Sequence, residues 1–148
     1  MENNLVIERA ERVSDELVEA FRLLIPQLSG SHAAPSATEL QALVDFPGSA
    51  LLIARERPAG RIVGSATLSI LRTPMGVHAR LEDVVVDLTL RGQGIGAALT
   101  KEVLRLAAEA GADYIALTSN PKREAANKLY QSIGFKRWET NVYRYDLK

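Results

Sequence analysis

The amino-acid sequence predicts an α/β (α+β) protein: a mixed, mostly antiparallel sheet of six or seven strands flanked by four helices. Three observations predict it. Strand-like runs separated by turn residues between Ala50 and Val86 specify an antiparallel meander. A strongly periodic helix from about Gly94 to Ala110 then separates the run ending at Val86 from the run Tyr114 to Thr118, and a helical crossover makes two strands parallel, joined right-handedly. Between strand and helix lie three glycines at alternate positions, Gly92, Gly94 and Gly96, which is the layout of an anion site.

A chain of 148 residues is large enough for one core and too short for two, so a single domain over 1–148 is expected. Hydrophobic residues at 47% and charged residues at 24% are the balance of a globular chain that folds on its own. Lys plus Arg and Asp plus Glu both number 18, so no bulk charge favours nucleic acid or an anionic membrane, and an anionic ligand must be held locally. The absence of cysteine excludes a disulfide framework, a thiolate nucleophile and a cysteine zinc site. Met1 to Asn4 lacks the basic and apolar regions of a signal peptide, and no apolar run reaches membrane length; a cytoplasmic protein is expected.

In chain order, Leu5 to Arg9 reads as the first strand. Ser14 caps a helix carrying Asp15 and Glu16 in its first turn, with Leu17, Phe21, Leu24 and Leu28 on one face and Pro26 in its last turn. The segment Ser29 to Pro35 is a loop, after which Ser36 and Glu39 match a capping box for a short helix bearing Leu40, Leu43 and Val44. Ala50 to Arg55 and Ile62 to Leu71 form a hairpin around Arg57 to Gly60, and a turn at Thr73 to Gly76 leads into the strand ending near Val86. The glycine helix carries Ile95, Leu99, Val103, Leu106 and Ala107 on one stripe and ends at Gly111. After Tyr114 to Thr118, Asn120 as N-cap with Pro121 at the first helical position begins a last helix that Gly134 ends, and Phe135 to Trp138 and Val142 to Leu147 are expected as two closing strands.

Two phosphate motifs fail for the glycine stretch. No Gly-Lys-Ser/Thr follows at P-loop spacing. The dinucleotide fingerprint is formally matched by Gly92, Gly94 and Ala97, but the strand does not run straight into the first glycine and no acid ends the next strand, which finishes Thr118-Ser119-Asn120.

Arg91-Gly92-Gln93-Gly94-Ile95-Gly96 resembles the Q/R-x-x-G-x-G/A signature of the GNAT acetyltransferase superfamily, preceded at the right distance by Val84-Val85-Val86. About 30 residues on, Asn120, Asn127, Tyr130 and Gly134-Phe135 resemble that family's second signature. The motif-level likeness covers roughly residues 80 to 136. It implies an enzyme moving acetyl from acetyl-coenzyme A to a primary amine of a small molecule or peptide by direct transfer, with no metal. The diphosphate would lie on the amides of Arg91, Gly92, Gln93, Gly94, Ile95 and Gly96. The pantetheine would run along the ends of Val84, Val85 and Val86, where a splayed central parallel strand pair leaves an open edge and a bulge near Val85 is expected. Asn120 and Asn127 would contact the pantetheine side, Tyr130 would be the acid for the leaving sulfur, and Glu82 or Asp83 the base.

Regular alternation puts Glu82 on one face with Val84 and Val86, and Asp83 on the other. Leu81-Glu82-Asp83 resembles amino-sugar-phosphate and polyamine acetyltransferases, whereas histone-type members place a glutamate where this chain has Arg80. Each residue also has a plainer reading: Tyr130 as a half-buried packing residue, the acids as strand-end acceptors, His32 and His78 as surface residues, Trp138 as packing. Because the loop between the first two helices shapes the acceptor pocket in this superfamily, His32 is an outside candidate. The alternative of a different class is a non-catalytic acyl-coenzyme A binding module. The acceptor itself is not encoded in a motif, and Val142 to Leu147 is a strand able to pair between two copies in a homodimer.

Overall fold

A computed structural model describes residues 4–57 and 60–148, in the order β1 (Leu5–Arg9), α1 (Asp15–Leu28), α2 (Ala37–Asp45), β2 (Ser49–Glu56), β3 (Ile62–Thr73), β4 (Gly76–Val86), α3 (Ile95–Glu109), β5 (Ile115–Ala116) and α4 (Glu124–Ile133). Residues 1–3 and the tip of the expected turn at 57–60, residues 58 and 59, lie outside the described residues. Two compact units result, Met1–Thr118 and Ser119–Lys148.

In the first unit the helices begin where the sequence supplies caps. The Ser14 hydroxyl accepts from the Leu17 amide at 3.2 Å, and at α2 the capping box is complete: Glu39 N–H donates to Ser36 Oγ and Ser36 N–H to Glu39 Oε1, both at 3.1 Å. The sheet runs β1-β2-β3-β4-β5, antiparallel through β4 and parallel between β4 and β5. Alternation along β2 sends Leu51 and Ile53 into a core with Leu17, Phe21, Leu24 and Leu40 of α1 and α2. The other face receives α3, and the approach is close. A Cβ on Gly64 of β3 would stand 3.2 Å from Leu99 and 3.3 Å from Ile95, so a larger residue there would press on the side chains by which α3 seats against β3. No helix among the described residues is long and apolar enough to cross a membrane.

The four expected helices form. The sheet has five strands among the described residues and not six or seven. β5 is reduced to Ile115–Ala116, and neither Phe135 to Trp138 nor Val142 to Leu147 joins a ladder. Alternating apolar residues give a segment the conformation for a strand but do not supply the neighbour whose N–H and C=O complete it. Trp138, Tyr143, Tyr145 and Leu147 accordingly stand exposed. The expected start of α4 at Pro121 also moves. Asn120 Oδ1 accepts from the Lys122 amide at 2.9 Å, forming a turn that competes with helix, and α4 begins only at Glu124.

Candidate functional site

β4 carries the site because it breaks its own alternation. Thr67 of β3 pairs with Glu82 and Ser65 pairs with Val85, so Asp83 and Val84 together stand opposite Ala66 alone. This is a bulge, and Asp83 has a positive φ of 52°, a conformation aspartate tolerates better than most side chains. The expected bulge near Val85 is therefore at Asp83 and Val84. Its consequence corrects the expected facing. Glu82 shares a face with Val85, not with Val84 and Val86, and Asp83 also reaches the α1 and α2 side.

On that side lies a cavity of about 480 Å³ between α1, α2 and the sheet. Phe21, Ile25, Leu28, Leu40 and Leu43 wall it from the helices; Leu51, Ser65, Thr67, Asp83 and Val85 wall it from the strands; Ser29, His32 and Glu39 border it from the connection and from α2. His32, an outside candidate on sequence, thus belongs to the cavity, with Nδ1 2.8 Å from Ser29 Oγ. Ser29, Glu39, Ser65 and Thr67 are the residues sequence reasoning missed. The available signal was Ser65 and Thr67, polar side chains two apart amid the apolar run of β3 and therefore on one face, with Ser69 continuing the same alternation.

The two candidate acids sit in different environments. Glu82 is ion-paired to Arg80, Nε to Oε1 at 2.7 Å, and both residues are half-buried. Asp83 keeps an open side to solvent, yet its carboxyl stands at the cavity wall. Desolvation there, more than the nearby Glu82 charge, pushes it above the ordinary carboxylate range, against an opposing influence from His32. A carboxylate made more basic in this way accepts a proton more readily than an ordinary aspartate.

Among the described residues, no strand pairs with the opposite edge of β4 beyond Arg80. Asp87 N–H donates to Val63 O of β3 at 2.8 Å, and because successive amides alternate after the bulge, Val86 directs its own to the other edge. There β5 pairs with Ala79 and Arg80 only, so the parallel pair is joined at its beginning and separates afterwards. The Val86 carbonyl on this edge receives the Arg91 Nε at 3.3 Å, which ties strand end to glycine turn.

That turn is built on Asp87, whose Oδ1 accepts from Thr89 N at 3.0 Å and Thr89 Oγ1 at 2.9 Å, while Oδ2 meets Arg61 at 3.0 Å. Gln27 of α1 adds a bond to Leu88 N at 2.6 Å. Gly92 and Gly94 follow with φ of 81° and 83°, and a Cβ on either would meet nothing within 4 Å. Gly94 is the N-cap of α3 with no side-chain cap bond, and the Ala98 amide is the first to bond back, to Gly94 O at 3.0 Å. The amides of Ile95, Gly96 and Ala97 consequently lack intrahelical acceptors and face the positive end of the helix dipole. A diphosphate fits this chemistry, since the donors are unshielded and no acid lies in the first turn.

The Thr89 hydrogen bonds, with help from Arg61, hold the Asp87 carboxyl below its ordinary value. A lowered folded-state value adds stability above the unfolded pKa and loses it as pH falls through the folded one. Asp87→Ala should therefore lower unfolding stability by about 1–2 kcal/mol at neutral pH, and the difference from wild type should shrink in acid. Urea titrations at two pH values check both statements.

In the second unit, Asn127 Nδ2 donates to Asn120 O at 3.0 Å and to Arg123 O at 2.8 Å, pinning the turn before α4 and leaving only its carbonyl oxygen for a ligand. Tyr130 is 7% exposed, meets the Phe135 ring edge-on at 5.8 Å, and has its phenol pushed up by burial against a lowering influence of Arg123. Gly134 ends the helix, its amide donating to Tyr130 O and Gln131 O.

Comparison with known proteins gives the family of the chain. Residues 12–135 match the acetyltransferase (GNAT) family. A glucosamine 6-phosphate N-acetyltransferase of Trypanosoma brucei brucei is 34% identical over 118 residues, 76% of this chain and 78% of that protein. The crystal structure of a Trypanosoma brucei acetyltransferase is similar with a TM-score of 0.76 and 29% identity, covering 97% of this chain and 99% of that one. An aminoglycoside acetyltransferase from an uncultured soil metagenomic sample shares the fold at a TM-score of 0.83 and 22% identity, with 99% of each chain covered. The chain belongs to the acetyltransferase (GNAT) family, and it is an acetyl-coenzyme A dependent N-acetyltransferase.

Proposed function

We propose that the chain acetylates a primary amine of a small molecule, with the amine in the cavity beside Asp83 and acetyl-coenzyme A along the open edge of β4. The carrying observation is the sequence of free donors on β4 and α3: the Val86 amide on an edge that no strand among the described residues pairs, then a glycine turn and an uncapped helix start. Extended amides suit the first and a diphosphate the second. The match over 12–135 crosses from one unit to the other, which supports a single catalytic domain over the whole chain. The binding-only alternative finds no support, because the relatives above are named acetyltransferases.

In this reading acetyl-coenzyme A supplies an activated acyl carbon. Arg91 to Gly96 hold the diphosphate, and Asn120 and Asn127 border the pantetheine. Asp83 takes the proton of the incoming ammonium, because only the free amine can attack. As the new carbon–nitrogen bond forms, negative charge gathers on the carbonyl oxygen, and an amide of Val84 or Val86 stabilises it. The carbon–sulfur bond then breaks, Tyr130 gives its proton to the sulfur, and the nitrogen, cationic since the attack, releases its second proton to leave the neutral amide while Tyr130 is reprotonated from solvent. Release of free thiol with a panel of amines tests the assignment; acetyl-coenzyme A binding without turnover on any amine would overturn it.

The cofactor half is tested separately. Gly94→Val places a branched side chain in the open space over the helix start and should weaken acetyl-coenzyme A binding at least tenfold, about 1.4 kcal/mol. Gly111 has the same conformation, with φ of 80° and open surroundings, at the other end of α3. Gly111→Val thus carries equal backbone strain and should bind normally. Calorimetry showing equal affinity for both folded variants would remove the diphosphate from this turn.

A further inference from the structure

The cavity walls point to a chemistry for the acceptor that the relatives' names do not. We propose that the acceptor is a primary amine on an apolar, unphosphorylated body, such as an aryl-alkyl or alkyl amine; this rests on reading the cavity as the acceptor site.

Charge is the first argument. Among the described residues that line the cavity, the formally charged ones are Glu39 and Asp83, and none is lysine or arginine. A phosphate on the acceptor would enter beside two carboxylates with no lysine or arginine to meet it and His32 as the one basic side chain in the lining, whereas an ammonium is attracted. Arg80 does not line the cavity and is engaged by Glu82.

Backbone donors do not replace the missing lysine or arginine. The helix start that borders the cavity is that of α2, where Ser36 and Glu39 satisfy each other's amides in the capping box. Glu39 therefore puts a carboxylate where an anion would need free N–H groups. On the sheet side, the Ser65 hydroxyl is 1% exposed as a residue and spends its one proton on Leu52 O at 2.9 Å.

Apolarity is the second argument. Nine of the fifteen lining residues are apolar, so a sugar ring would lose water from part of its hydroxyls against side chains that offer no hydrogen bonds, with the polar groups confined to Ser29, His32, Glu39, Ser65, Thr67 and Asp83. Phe21, Ile25, Leu43 and Leu51 instead favour a hydrocarbon or aromatic body, with its ammonium turned to Asp83.

The test is a substrate series at saturating acetyl-coenzyme A: 2-phenylethylamine, hexylamine, glucosamine and glucosamine 6-phosphate, each followed by thiol release to give kcat/KM. The two apolar amines should exceed both sugars at least tenfold, and glucosamine should exceed its 6-phosphate. Glucosamine 6-phosphate equal to or better than the apolar amines overturns the proposal while leaving the acetyltransferase reading intact. Glucosamine equal to or better than the apolar amines likewise overturns the apolar body. Acetyl-coenzyme A bound by calorimetry with no turnover on any of the four, nor on spermidine or sisomicin as wider controls, overturns the cavity as an acceptor site and this proposal with it.

Discussion

Tyr130→Phe should lower kcat by about 10²-fold to 10⁴-fold, the range for losing a general acid, with acetyl-coenzyme A affinity changed little. The substitution keeps the ring that packs edge-on against Phe135 and removes only the hydroxyl. Burial raises the phenol above its ordinary value of about 10, so it is fully protonated at neutral pH. A thiol has a pKa of about 8.5, so proton transfer to a free thiolate is uphill and burial makes it more so. The benefit must therefore arise while the carbon–sulfur bond is breaking, when the sulfur is not yet a solvated thiolate. With both substrates saturating and chemistry limiting, a variant that keeps more than about a third of wild-type kcat would show that water protonates the sulfur, and Tyr130 would then be a packing residue.

The parts of this protein legible in its sequence are those fixed by neighbours in the chain. Ser14, the Ser36 and Glu39 box, and the start of α3 at the residue after Gly94 all follow from local chemistry. The meander follows from turns that are also local. What was not legible depends on partners far away. The bulge exists because β4 carries one residue more than β3 between two pairings, a mismatch invisible to periodicity, and it turned Glu82 and Asp83 to one side instead of opposite sides. The cavity lining draws on α1, α2 and three strands, so Glu39 read as a cap and Ser65 as a strand residue until the elements met. Asn127 shows the reverse case: its position matched a signature, while its side-chain donors turn out to hold the Asn120 to Arg123 turn.

Asp83→Asn carries the other large effect, a fall in kcat/KM of about 10²-fold to 10⁴-fold near neutral pH. Asparagine fills the same space at the bulge and tolerates the same positive φ, so the change removes basicity and charge and keeps shape. The pH dependence distinguishes a base from a structural residue. Asp83 acts only when ionised, and its carboxyl is raised; wild-type kcat/KM should therefore fall as pH drops through a value above the ordinary 3.8, and this limb should be absent in the variant. Toward alkaline pH the deficit should narrow, because an amine that is already neutral has no ammonium proton to lose. Glu82→Gln, which breaks the pair with Arg80, should cost only a few-fold. Stability provides an independent sign. A carboxyl raised in the folded state opposes folding once pH exceeds its unfolded value, so the asparagine variant should unfold at no lower urea concentration than wild type at neutral pH. A deficit constant across pH, or a loss from Glu82→Gln equal to that from Asp83→Asn, would transfer the role from Asp83 to Glu82 or to a water chain.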